Sequence, residues 1–97
     1  MKATLHPGAE KDIAEAAEFY EREASPPLAT RFIAEFRRVA NLLLDNPQIG
    51  SPASKGSRSF PMRVFPYSII YRPLDREIRI MVVRHQRRHP SYGGSRR

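Results

Sequence analysis

With 97 residues the chain has the length of one small domain, and its 40% apolar content suffices for a single modest core but not for two. The absence of cysteine excludes disulfides and thiolate metal sites, and His6, His85 and His89 stand without the carboxylate cluster that zinc would need, so neither metal nor other cofactor is expected. The net charge of +7 is unevenly placed: residues 1–50 carry six Lys and Arg against eight Asp and Glu, a net of −2, whereas residues 51–97 carry eleven against two, a net of +9.

Fourteen of the seventeen basic residues are arginines. A planar, multi-donor guanidinium suits phosphate and carboxylate, so RNA, DNA or an acidic protein is the expected kind of partner. No apolar run approaches the roughly 20 residues of a membrane span, and MKATLHPGAE has no export-signal core. A cytoplasmic protein with no membrane partner is expected.

Lys2 to His6 form a short extended segment, which Pro7 closes by disfavouring helix at His6 while suiting a helical first turn. From Pro7 to about Glu23, apolar residues recur at Ala9, Ile13, Ala16, Ala17 and Tyr20, the spacing of an amphipathic helix whose acidic face reads as solvated. Ser25-Pro26-Pro27 breaks the chain. A second helical run through Leu28, Phe32, Ile33, Phe36, Val39, Ala40, Leu43 and Leu44 ends at Asn46-Pro47, and so short a connection predicts an antiparallel hairpin.

Pro47 to Ser59 is rich in Gly, Pro and Ser and reads as a loop. Three strand-like runs follow, Ser59 to Phe65, Tyr67 to Arg72 and Glu77 to His85, with connections short enough for antiparallel pairing. Tyr67, Ile69 and Tyr71 share one face by alternation, joined by Phe65 if Pro66 leaves the register intact, and this face is expected to pack on the helices. In the last run, alternation places Ile78, Ile80 and Val82 on one face and Arg79, Met81, Val83 and His85 on the other, the pattern of a central strand. The tail is expected to loosen into a flexible end from about residue 90. The predicted architecture is α+β in two layers over a single domain spanning 1–97: an N-terminal strand, an antiparallel helical hairpin, then a three-stranded antiparallel sheet, in the order β-α-α-β-β-β.

The stretches AEKDIAEAAEFYE, NPQIG, FPYSIIYR and IRIMVVRHQRRHPSY, in that order, resemble the RelE/ParE toxin superfamily over nearly the whole chain. The resemblance implies a toxin of a type II toxin–antitoxin pair, of the kind also called plasmid stabilisation proteins. Its cognate antitoxin would wrap it with a flexible segment, and would alone mediate contact with operator DNA. It leaves the target open, because some members cut messenger RNA on the ribosome and others poison DNA gyrase.

The densest chemical grouping lies at and beyond the last strand. For metal-free RNA cleavage, His85 or His89 would move a proton, Arg87 would stabilise the phosphate, and Tyr92 would stack or donate a proton. For action by binding, Arg63, Arg84, Arg87, Arg88 and His89 would contact the target, with Arg58 and Arg72 either extending the basic surface or guarding strand edges. Ser68 stands where several ribosome-dependent RNases place an arginine, Tyr92 matches their late tyrosine only with a one-residue shift, and Lys55 alone represents their lysines before the second strand. The incomplete set favours growth inhibition through gyrase. A ribosome-dependent endoribonuclease is the second reading, and a non-toxic nucleic-acid-binding module the third.

Overall fold

A computed structural model describes all residues 1–97. The chain runs through β1 (Lys2–Leu5), α1 (Pro7–Glu23), α2 (Pro26–Asp45), β2 (Ser51–Pro52), a 3-10 turn (Ser54–Gly56), β3 (Arg58–Pro61), β4 (Tyr67–Pro73) and β5 (Glu77–His85). Both helices start as the sequence predicts. The His6 ring accepts from the Gly8 N–H ahead of α1, the Ser25 hydroxyl accepts from the Leu28 N–H ahead of α2, and each helix begins on proline, whose missing N–H is not needed there.

The three expected antiparallel strands are present, but the sheet is larger and mixed. It has five strands in the order β1-β5-β4-β3-β2, and β1 lies parallel to β5 with Lys2 opposite Glu77 and Leu5 opposite Ile80. The segment read as loop after Pro47 contributes the two-residue edge strand β2, paired with β3. The first of the three antiparallel strands also ends earlier than its composition suggests. β3 stops at Pro61, and residues Met62 to Pro66 turn a corner in which Val64 takes a left-handed conformation with φ of 71°. Phe65 still reaches the core, by that corner and not by alternation.

The helical hairpin covers one face of the sheet. Ala9 and Ala16 of α1 and Phe32, Phe36, Val39 and Leu43 of α2 meet Ile69, Tyr71, Ile78, Ile80 and Val83 in one core. Tyr20, Phe32, Phe65 and Tyr67 pack edge-on or tilted at centroid separations from 5.1 to 6.4 Å, a geometry that adds about 0.5–1.5 kcal/mol per pair beyond area burial. At the far end of the core, the buried Tyr71 hydroxyl donates to the Pro47 carbonyl at 2.9 Å and accepts from the Gly50 N–H at 2.9 Å, pinning the chain as it leaves α2. A Cβ on Gly50 would lie 2.7 Å from that hydroxyl, so the close approach requires glycine.

Strand β5 departs from simple alternation. Its register against β4 shifts between Ile70 and Tyr71, so that Tyr71 faces Ile80 while Ile70 faces Val82, and Met81 is the extra residue of a β-bulge. Met81 and Val82 therefore both face away from the helices, with Ile70, while Val83 joins the helix-side core. This reverses the expected faces of Val82 and Val83, because a bulge moves every later side chain to the opposite side.

Candidate functional site

The bulge decides where the basic residues point. Beyond it, Arg84 faces the outer side of the sheet and His85 the helix side, where its ring stands edge-on to Tyr67 at 5.0 Å. The His85 Nδ1 accepts from the Arg87 N–H at 3.0 Å, and the Arg88 N–H donates to the His85 carbonyl at 2.9 Å. These bonds wind the chain into a tight turn after β5 and present the side chains of Arg87 and Arg88 to solvent beside Phe19, an exposed aromatic of α1.

Past residue 90, where the sequence suggests a loose end, Tyr92 and Arg96 turn back onto α1. The Tyr92 hydroxyl donates to Asp12 Oδ1 at 2.7 Å, and Arg96 forks onto the same carboxylate with Nη1 at 2.7 Å from Oδ2 and Nη2 at 3.2 Å from Oδ1. The reason lies in the sheet edge. β1 ends opposite Ile80, so the rest of β5 has no neighbour on that side. There the Val83 N–H donates to Asp12 at 3.0 Å and the Met81 carbonyl accepts from Arg96 at 3.0 Å, so the ion pair satisfies two main-chain groups that would otherwise be orphaned.

Burial pushes the Asp12 carboxyl upward, but the hydrogen bonds from Arg96, Tyr92 and Val83 and the Arg96 charge outweigh it, and the carboxyl lies below its usual range. The same contact, assisted by burial, raises the Tyr92 hydroxyl above its ordinary value. Asp12 belongs to an acidic face expected to be solvated, yet it is buried while Glu10, Glu15, Glu18, Glu21 and Glu23 are exposed. Its spacing was the available signal, since Asp12 falls three residues after Ala9 and four before Ala16, on the buried stripe.

The predicted residues are thus divided among several surroundings. Arg88 stacks on the Tyr92 ring with its guanidinium carbon 4.5 Å from the centroid, and His89 is exposed, its Nδ1 2.7 Å from the Ser91 hydroxyl. Arg84 donates to the Pro90 carbonyl at 2.8 Å on the outer face. Arg63 lies apart, at the corner after β3, where its N–H donates to Glu35 at 2.6 Å beside Arg31 and Arg38. Arg58 is structural, clamping the carbonyls of Gln48 and Gly50 at 3.2 and 2.7 Å. His85 and Tyr92 line a small hollow with Asp12, Glu15 and Arg88, but Arg87 lines the neighbouring surface and not this one.

Residues 3–90 match the family described as the ParE toxin of the type II toxin–antitoxin system parDE. The chain belongs to the ParE toxin family. It is 32% identical over 88 residues to the protein named toxin ParE2 from Mycobacterium tuberculosis, in strains CDC 1551 and H37Rv alike, covering 90% of this chain and 83% of the relative. A solved structure from the chromosomal ParDE toxin–antitoxin system of P. aeruginosa shares the fold, with a TM-score of 0.77 at 20% identity, over 88% of this chain and 95% of that one. In this ParE-family chain the NPQIG segment has a clear physical basis: Pro47 supplies the acceptor and Gly50 the donor for Tyr71, in the Tyr-Arg pair that ends the aromatic run of β4.

Proposed function

We propose that this ParE-family toxin arrests growth by binding DNA gyrase rather than by cutting RNA. The observation that carries the reading is the commitment of the Tyr92 hydroxyl to Asp12. A proton acid for RNA cleavage must face the scissile phosphate, whereas this hydroxyl is half-buried and its proton is held by a carboxylate. Arg87 lines the hollow next to the one that Tyr92 lines, with His85 and Arg88 bordering both, so Arg87 and Tyr92 do not face each other across a single hollow. What remains is a binding surface: Arg87, Arg88 and His89 on a turn fixed by His85, next to exposed Phe19, the mixture of arginine and aromatic typical of protein contacts.

In the same reading the toxin acts in the cytoplasm and is neutralised by a cognate antitoxin of ParD type, through which alone it meets operator DNA. No helix is long and apolar enough to cross a membrane. Arg84 and Arg63, directed elsewhere, are secondary contacts at most. The direct test adds purified toxin to gyrase and relaxed plasmid, and separately to ribosomes carrying message. Loss of supercoiling with intact message is expected. Message cut at ribosomal positions, with supercoiling unaffected, would replace this reading with an endoribonuclease.

A further inference from the structure

The outer face of the sheet holds a cleft of about 250 Å³ that shares no residue with the Arg87 and Phe19 surface proposed as the main gyrase contact. Ile70, Met81 and Val82 form an apolar floor, and the returning tail walls it with Tyr92 and Gly93. The tail can press this closely because Gly93 has φ of 76° and no Cβ, which would lie 2.6 Å from Val82.

Four cationic side chains, Lys55, Arg72, Arg84 and Arg96, line the cleft, and no carboxylate does. Of the four, only Arg96 is matched by an acid, Asp12. Lys55 and Arg84 instead donate to the main-chain carbonyls of Gly94 at 3.1 Å and Pro90 at 2.8 Å, which aim their side chains without cancelling their charge. The Arg72 Nε is shielded from solvent and has no acceptor at all. A buried donor left unmatched is costly, and an anion beside the guanidinium would supply what it lacks. Lys55 is also held in a left-handed conformation, φ 59° and ψ 39°, which a side chain resists and which places it at this rim.

We infer that this cleft binds a phosphate group. Arg72 and Arg84 offer fork-shaped donors, Lys55 a point charge, and together they suit a compact multivalent anion better than a single carboxylate. The cleft is smaller than the roughly 300–1,000 Å³ of sites for drug-sized ligands, so it takes one such group and little else. The phosphate comes either from the free ion or from a nucleotide whose sugar and base lie outside the cleft. The inference stands independently of the gyrase reading, since it uses neither Arg87 nor Phe19.

Titration calorimetry on the full chain at low salt, with inorganic phosphate, adenosine monophosphate and adenosine as three separate probes, tests it. Saturable binding of both phosphate-bearing probes and none of adenosine is expected. Lys55→Ala and Arg84→Gln should each weaken binding about tenfold, while Arg37→Ala, which removes an equal charge from the helical layer, should change nothing. Tighter binding of the nucleotide than of phosphate assigns the nucleotide as source, and equal binding assigns the free ion. The inference is overturned if neither phosphate-bearing probe saturates, if adenosine binds as well as its monophosphate, or if Arg37→Ala weakens binding as much as Lys55→Ala. Lys55 lies on an exposed turn, and circular dichroism of that variant confirms that the comparison is made on folded protein.

Discussion

Arg96 and Asp12, 84 positions apart in sequence, form a forked ion pair at 2.7 Å that closes the unpaired edge of β5. The Asp12 side chain is only 3% exposed and that of Arg96 16%, so the pair is shielded from solvent and from salt. One contact therefore ties the last residues of the chain to the first turns of its first helix.

The pair should make stability depend on acid. The Asp12 carboxyl in the folded protein lies below its ordinary value of 3.8, so its contribution is fully present above that value and is lost as pH falls through the lower, folded value. Thermal melts from neutral pH downward should show this loss, and Asp12→Asn should flatten the acid limb. At neutral pH, Arg96→Met should cost about 2 kcal/mol, because it leaves a buried carboxylate short of its cation. A melting point unchanged by Arg96→Met would show that the ion pair contributes no stability.

Gly93→Ala should release the tail while leaving both members of the ion pair in the chain. The added methyl would meet Val82, and the positive φ disfavours any side chain. Hydrogen exchange should then rise at residues 91–97 and at the Val83 amide while the helical core stays protected. Equal protection in both proteins would mean that the tail tolerates the methyl by a small shift.

Tyr71→Phe removes both hydrogen bonds that the ring hydroxyl makes to the turn after α2, leaving the Gly50 N–H and the Pro47 carbonyl without that partner. A loss of about 1–3 kcal/mol in chemical denaturation is expected. Gly50→Ala, which forces a methyl against the same ring, should cost a similar amount, and the two together should cost less than their sum because they damage one contact.

Arg87→Glu should reduce inhibition of gyrase at least about tenfold with no change in melting temperature, since the side chain is exposed and forms no ion pair. Arg63→Glu, at the corner beside Glu35, should have a smaller effect. Supercoiling assays on the two variants side by side decide whether the turn after β5 or the corner after β3 makes the main contact.

The helices were legible in the sequence because Ala9, Ile13, Ala16 and Tyr20, and then Phe32, Phe36, Val39 and Leu43, repeat with the period of a turn, between stops made by proline. The parallel pairing of β1 was not, since four residues, Lys-Ala-Thr-Leu, hold no record of a neighbour some 75 positions away. Nor was the bulge: in Ile-Arg-Ile-Met-Val-Val, apolar residues suit both faces, so the pattern gives no sign of where an extra residue enters. That single residue sends Arg84 and His85 to sides opposite those alternation assigns. The basic cluster was therefore visible as composition, while its division between two faces was not. Asp12 lay on the buried stripe by spacing, but its partners, Tyr92 and Arg96, came from the far end of the chain.

The position of β5 has a bearing on how the protein is made. It is the last strand in the chain, yet it lies between β1 and β4, so the first strand has no place in the sheet until Glu77 to Ile80 exist. During synthesis the helical hairpin emerges with its apolar face uncovered, and pairings of such long range form late. Until the ribosome has made Glu77 to Ile80, β1 therefore lacks the strand on which it pairs, and one late segment completes the sheet on both of its sides.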